Sequence, residues 1–231
     1  MVKIFSDGAN IKEIVELNKD EMIDGFTTNP TLMKASGVTN YRAFAEELLA
    51  LVNIKKPISF EVLEDNYWGI IEQAQEMSRW GKNVYVKIPV TTTAGVSNYE
   101  IMNALSRSGV KINATAITTF EQINRCIDAL STDTPSIISI FAGRIADTGR
   151  NPEVFIEYGS YRKVNKQEIL WASTREVYNY NQAILAGADI ITITPAIYNK
   201  MKQQWGKPLN ILSLETVRMF YDDAKKSGLS L

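Results

Sequence analysis

The 231-residue sequence has no histidine and a single cysteine, Cys126. Without imidazole, neither a Ser-His-Asp nor a Cys-His arrangement can form, and no His-ligated metal site can be built. One cysteine excludes thiolate clusters and intramolecular disulfides, which fits a reducing compartment. Cys126 sits in FEQINRCIDAL, a helical pattern, and reads as a buried, inert thiol. Proton transfers in an enzyme built from this chain therefore fall to Asp, Glu, Lys, Tyr or an ordered water. Also missing is any apolar run near the roughly 20 residues that a membrane span requires. The start, MVKIFSDGAN, has no basic segment leading into an apolar one, so a cytoplasmic protein with no membrane partner is expected. Charge of one sign is not in excess: 25 Lys+Arg against 26 Asp+Glu gives a net charge of -1. Nucleic acid is not an expected partner on that balance, although a local basic pocket for a small anion is compatible with it.

What is present is an alternation. Short β-branched runs, at Lys3–Ser6, Gly25–Thr28, Ile58–Val62, Asn83–Pro89, Ile112–Ala116, Ser136–Phe141, Glu168–Ala172 and Asp189–Thr194, are separated by amphipathic stretches. Helical periodicity is clearest at Tyr41–Leu51, Asn66–Trp80, Asn98–Arg107, Phe120–Leu130 and Arg175–Leu185. Eight strand–helix units of roughly 29 residues predict an α/β fold, a single (β/α)8 TIM barrel. An open doubly wound sheet would carry a glycine-rich phosphate loop after its first strand, and SDGAN has one glycine. No linker or shift in composition divides the chain, so residues 1–231 read as one catalytic domain. The tail LNILSLETVRMFYDDAKKSG adds a C-terminal helix. It either closes the barrel bottom or packs on a neighbouring subunit.

Active sites of such barrels sit at the C-terminal ends of the strands. Polar residues recur there: Asp7, then Thr27, Thr28 and Asn29, then Glu61, Lys87, Asn113 with Thr115, Phe141 followed by Arg144, Ser173 with Arg175, and Thr192 with Thr194. Lys87 lies in VYVKIPV, an otherwise apolar strand. Alternation puts Tyr85 and Lys87 on one face and Val84, Val86 and Ile88 on the other. If the first face points inward, desolvation favours the neutral, nucleophilic amine. Such an amine condenses with a ketone to an iminium, which accepts electrons from a breaking C–C bond. The simpler role is a lysine snorkelling to the strand end. Glu61, one strand earlier in ISFEVL, is either a general acid/base working through water or the ion-pair partner of Lys87. Asp7 is either the base for a substrate hydroxyl or a helix N-cap. Asn29-Pro30 fits a helix start. Arg144 and Arg175 suit a bidentate phosphate or surface salt bridges. Arg150 joins them or lies on the loop surface.

Seven segments together resemble the transaldolase family, including its short-chain branch and the related fructose-6-phosphate aldolases: FTTNPTLMKASG (26–37), ISFEV (58–62), NVYVKIPVT (83–91), INATAI (112–117), FAGRIAD (141–147), LWASTRE (170–176) and AGADIITITP (186–195). They span nearly the whole chain in family order, and TTNPT with VKIPVT is the specific combination. The resemblance implies that Lys87 is the Schiff-base lysine and Asp7 the acid/base for C–C cleavage. It implies that Glu61 works with a catalytic water that Thr115 helps to hold. Thr27, Asn29 and Ser173 are expected around the substrate's dihydroxyacetone portion and Arg144 and Arg175 at its phosphate, with Asn113 and Phe141 as further substrate-binding residues. It implies no metal and no organic cofactor, sugar-phosphate substrates, and a homo-oligomer, pentamer or decamer. Within the family, Glu61 and Phe141 resemble transaldolases, where the aldolases typically carry Gln and Tyr. Phenylalanine cannot protonate an enamine, which favours transfer over release of free dihydroxyacetone. Gly8 and Ala114 depart from the usual Thr and Val, as do the TGRNPEVF stretch and Trp171. Trp171, two residues before Ser173, is expected on the same inward face, where its ring would reshape the pocket. That expectation leaves a specialised biosynthetic reaction open beside one of the pentose phosphate pathway.

Overall fold

The computed structural model describes residues 1–52 and 55–228. Eight parallel strands close into a barrel in sequence order: β1 (Lys3–Asp7), β2 (Ile23–Thr27), β3 (Ile58–Glu61), β4 (Val84–Pro89), β5 (Ile112–Ile117), β6 (Ser136–Ile140), β7 (Gln167–Trp171) and β8 (Ile190–Ile193). The fold is a (β/α)8 TIM barrel, as the alternation predicts. The helices are α1 (Ile11–Asn18), α2 (Pro30–Ala35), α3 (Tyr41–Leu51), α4 (Tyr67–Ser78), α5 (Tyr99–Arg107), α6 (Phe120–Ala129), α7 (Ala142–Asp147), α8 (Glu153–Arg162), α9 (Asn179–Leu185), α10 (Pro195–Gln204) and α11 (Leu209–Ser227). Asparagine starts many of them. Asn10, Asn29, Asn40 and Asn66 each accept a backbone N–H of the first turn, and Thr119 forms a capping box with Gln122. Each such cap contributes about 1 kcal/mol.

Two apolar shells hold the barrel. The outward strand residues Ile58, Phe60, Val84, Val86, Ile112, Ile138 and Ile191 pack beneath the helices in one continuous core. Phe5, Tyr85, Ile137, Leu170, Ala172 and Ile190 fill the barrel interior. The second cluster needs Gly25, because a Cβ there would approach the Phe5 ring to 2.6 Å. Tyr85 is in the interior and Val84 and Val86 are outside, so Lys87 points inward, as expected from alternation.

Three expectations depart from the structure. Trp171 belongs to the outer core and is fully buried there, away from the cavity. Alternation cannot carry past β7, because Ser173 takes a left-handed backbone (φ 64°) and Trp171 and Ser173 then face different ways. The tail is helical, as expected, but no residue of α11 is buried, so it does not close the barrel bottom. The helix expected from Arg175 begins only at Asn179, whose side chain accepts the N–H groups of Arg175 and Glu176 and holds them in a turn. No helix among the described residues is long and apolar enough to cross a membrane.

Candidate active site

At the C-terminal end of the barrel lies a cavity of ≈ 160 Å³, lined by the ends of β1, β2, β4, β5, β6, β7 and β8 and the loops that follow. Lys87 lies deep in it. Its Nζ donates to the Thr28 carbonyl at 2.8 Å and sits 2.9 Å from Glu61 Oε2. Register makes this pair unavoidable, since Glu61 on β3 lies directly opposite Lys87 on β4 and both point inward. The Lys87 side chain is 8% exposed and that of Glu61 17%. Both simpler and catalytic roles of Glu61 require this contact. Glu61 does not line the cavity and reaches it through Lys87.

Asp7 is not a helix cap. Asn10 takes that place on α1, and Asp7 accepts a hydrogen bond from Thr27 Oγ1 at 2.7 Å. Its carboxyl pKa is raised above the ordinary carboxylate range. Burial is the main cause; the opposing pull of Lys87 and of the Thr27 hydrogen bond is smaller, and Glu61 adds to the rise. Thr27 Oγ1 lies 2.6 Å from Thr192 Oγ1 as well, so β1, β2 and β8 share one hydroxyl chain.

On β5 the pairing with β6 shifts register between Ala114 and Ile117, and Ala116 adopts a φ of 63°. Bulges of this kind re-aim neighbouring side chains. Here Thr115 lines the cavity with its hydroxyl buried and without a protein partner. A buried hydroxyl in that state has a full hydrogen-bonding capacity to offer a water or ligand. Asn113 behaves otherwise. It is fully buried, donates to Ser59 Oγ at 3.1 Å and accepts from Ser139 Oγ at 2.7 Å, and does not line the cavity. Asn29 caps α2 through Oδ1, at 2.9 Å from the Leu32 amide, while the residue lines the cavity.

The mouth carries Phe141, Arg144, Ser173 and Arg175. Gly143 makes their proximity possible: a Cβ at that position would fall 1.7 Å from the Ser173 carbonyl oxygen. The first turn of α7 can thus press against the loop after β7, which brings the two arginines together. Arg175 is committed in part, with Nη2 2.6 Å and Nε 3.3 Å from the Asp147 carboxylate. That contact lowers the carboxyl pKa of Asp147 and raises the guanidinium pKa of Arg175. Arg144 stacks near Phe141, 5.9 Å from the ring centroid, and has no carboxylate within 4.0 Å among the described residues. Arg150 stands outside this cavity, bonded to Thr148 Oγ1 at 2.9 Å. It lines a neighbouring groove that shares Arg144. Ser139 and Thr174 also line this cavity and are not singled out by the sequence patterns. Ser139 has a signal in hindsight, since it shares the inward face of β6 with Ile137 and Phe141. Thr174 follows the αL turn, beyond the reach of alternation. Cys126 is buried outside the site, and burial pushes its thiol up to about 12.

The gross fold is shared widely. An inosine 5'-monophosphate dehydrogenase from Legionella pneumophila superimposes with a TM-score of 0.58 at 11% identity, covering 84% of this chain and 58% of that one. Similarity in sequence is narrower in kind. A probable transaldolase of Brucella melitensis is 35% identical over 98% of both chains. Others from Bartonella tribocorum and Nitrosopumilus maritimus are 32% and 31% identical, over 100% of both chains and over 97% and 96% respectively. The family model described as Transaldolase/Fructose-6-phosphate aldolase matches residues 4–231, and the chain belongs to that family.

Proposed function

We propose that this single barrel domain, residues 1–231, transfers a dihydroxyacetone unit from a ketose phosphate to an aldose phosphate through a Schiff base on Lys87. The observation that carries the reading is one buried amine with two carboxylates around it, one in contact and one across the cavity. Glu61, 2.9 Å from Nζ, accepts a proton as the amine attacks the ketone carbon. The carbinolamine loses its hydroxyl as water, with the proton returned from Glu61 by way of a water held at the unpartnered Thr115 hydroxyl. The resulting iminium draws electrons from the neighbouring C–C bond. Asp7 removes the proton of the hydroxyl on the departing carbon, the bond breaks, and the aldose phosphate leaves. The enamine attacks a second aldehyde, and hydrolysis of the new imine regenerates Lys87.

Arg144 and Arg175 bind the phosphate at the mouth; Thr27, Asn29 and Ser173 hold the polyol. Asn113 acts from behind, fixing Ser139 at the wall rather than touching sugar. Phe141 supports transfer over simple aldol cleavage. No tyrosine is among the residues lining the cavity, so the enamine has no phenol beside it to protonate it. With Trp171 facing outward, nothing in the pocket argues for an unusual sugar. Gly8 leaves free space, since a Cβ there would meet only Pro195 at 3.9 Å. Incubation with fructose 6-phosphate, with and without erythrose 4-phosphate, tests the choice. Transfer predicts glyceraldehyde 3-phosphate release that depends on the acceptor. Stoichiometric free dihydroxyacetone without acceptor would instead make the enzyme an aldolase.

The exposed apolar residues of α11, Leu209, Leu212, Val217 and Phe220 among them, support a homo-oligomer, pentamer or decamer, in which this helix rests on a neighbour. Light scattering that gave a monomer at micromolar concentration would contradict it.

A further inference from the structure

While Asp7 is ionised, the hydroxyl chain that ends on it has only one proton per link, and this fixes its direction. Thr27 Oγ1 donates to Asp7 Oδ1 at 2.7 Å. Its single proton is then spent, so the 2.6 Å contact with Thr192 Oγ1 must be donated by Thr192. Thr192 is well placed for this. It is 5% exposed, and its carbonyl accepts from Thr174 Oγ1 at 2.7 Å, which pins β8 at that residue. Chains of hydroxyls polarise one another, so a hydroxyl that accepts a hydrogen bond becomes a stronger donor. Charge-assisted bonds to a carboxylate gain the most from such donors.

We propose that Thr192 is a positioning residue for Asp7: by donating to Thr27 it orients the Thr27 hydroxyl onto the carboxylate and favours its ionised, basic form. The inference rests on the reading of Asp7 as the base for C–C cleavage. It assigns Thr27 a second task besides contact with substrate. While Asp7 is ionised, Thr27 has no proton left to give a sugar hydroxyl and meets it only as an acceptor. Two charged groups also act on Asp7, Lys87 from β4 and Glu61 from β3, and Arg144 and Arg175 line the same cavity. The neutral chain from β2 and β8 holds one carboxylate oxygen regardless of what those charges do.

Thr192→Val replaces the hydroxyl by a methyl group of similar size, and Thr192→Ser restores the hydroxyl. Two readouts separate positioning from packing. Borohydride trapping with fructose 6-phosphate, counting six-carbon and three-carbon adducts on Lys87 together, measures imine formation, a step that does not use Asp7. Release of glyceraldehyde 3-phosphate with erythrose 4-phosphate as acceptor measures turnover through cleavage. In Thr192→Val, imine formation is expected to stay within about twofold, while kcat for cleavage falls about tenfold and the acidic limb of its pH profile moves to higher pH. Thr192→Ser should recover kcat to within about threefold. Equal losses of imine and cleavage would reduce Thr192 to packing and overturn the inference, as would an unchanged kcat and pH profile. Absence of imine in the unsubstituted enzyme would sink the Schiff-base reading as well, and is thereby told apart from failure of the Thr192 step alone.

Discussion

Two lysine–glutamate pairs link neighbouring or nearby strands of the barrel, and they differ in one respect that matters. Lys3 and Glu168 approach to 2.6 Å with side chains 49% and 30% exposed. Lys87 and Glu61 are slightly farther apart, at 2.9 Å, yet 8% and 17% exposed. Distance alone would rank the first pair as the stronger. Water screens it, and exposed pairs contribute between nothing and about 1 kcal/mol. In the second pair, each charge has given up its water and depends on its partner. A lysine in that position is held in place, shielded and within reach of a ketone only through one cavity. Burial, not pairing, separates Lys87, the amine proposed to react, from Lys3.

The largest expected effect breaks the buried pair. Lys87→Met removes the nucleophile and leaves Glu61 without its counter-charge: transfer is abolished and stability drops by about 3–5 kcal/mol. Adding Glu61→Leu should return most of the stability and none of the activity, read by urea unfolding and the coupled transfer assay. Asp7→Asn comes next. Transfer falls about 10²–10⁴-fold, yet Tm rises. The sign follows from its raised pKa. The folded state holds the Asp7 proton more tightly than the unfolded chain, so above the folded pKa ionisation of Asp7 costs stability. That cost is relieved as pH falls from the folded toward the unfolded value, and an amide never incurs it. The same shift predicts that activity declines on acidification above the pH range of an ordinary carboxylate. A smaller effect is expected at the mouth. Arg144→Gln should raise KM for fructose 6-phosphate about tenfold with kcat nearly unchanged. Asp147→Asn, which frees Arg175, should alter KM by less than about threefold. Smallest of all, Lys3→Met should change stability by under about 1 kcal/mol and leave kcat untouched. A larger loss there would erase the distinction between the two pairs.

Much of this was legible in the sequence because two-residue alternation is a strong constraint on a strand buried on both faces. It set Lys87 and Tyr85 on one face and Val84 and Val86 on the other, the fold turns the first face inward, and the closed strand order followed from the repeat of strand and helix. It failed where the backbone leaves the strand. Trp171 faces the helices because Leu170 and Ala172 on either side of it face inward, and past it the αL residue Ser173 turns the chain, so that Ser173 and Thr174 enter the site. Asn113 was expected at substrate as a polar residue near the end of the fifth strand, but depth within the barrel is not encoded by alternation, and Ser59 and Ser139 occupy its amide instead. The choice between cap and base for Asp7 depended on where α1 begins, a boundary that Asn10 decides by accepting the Glu13 amide. The close approach of α7 to the β7 loop, which joins the two arginines, rests on Gly143 and a contact of distant segments that local pattern does not reveal.

The most direct test of the central claim compares the two lysines in one experiment: borohydride reduction in the presence of fructose 6-phosphate, followed by peptide mass spectrometry. A three-carbon adduct on Lys87, with Lys3 unmodified and the adduct lost in Lys87→Met, is the result predicted. Equal modification of both lysines, or no adduct on Lys87 across a panel of ketose phosphates, would contradict it.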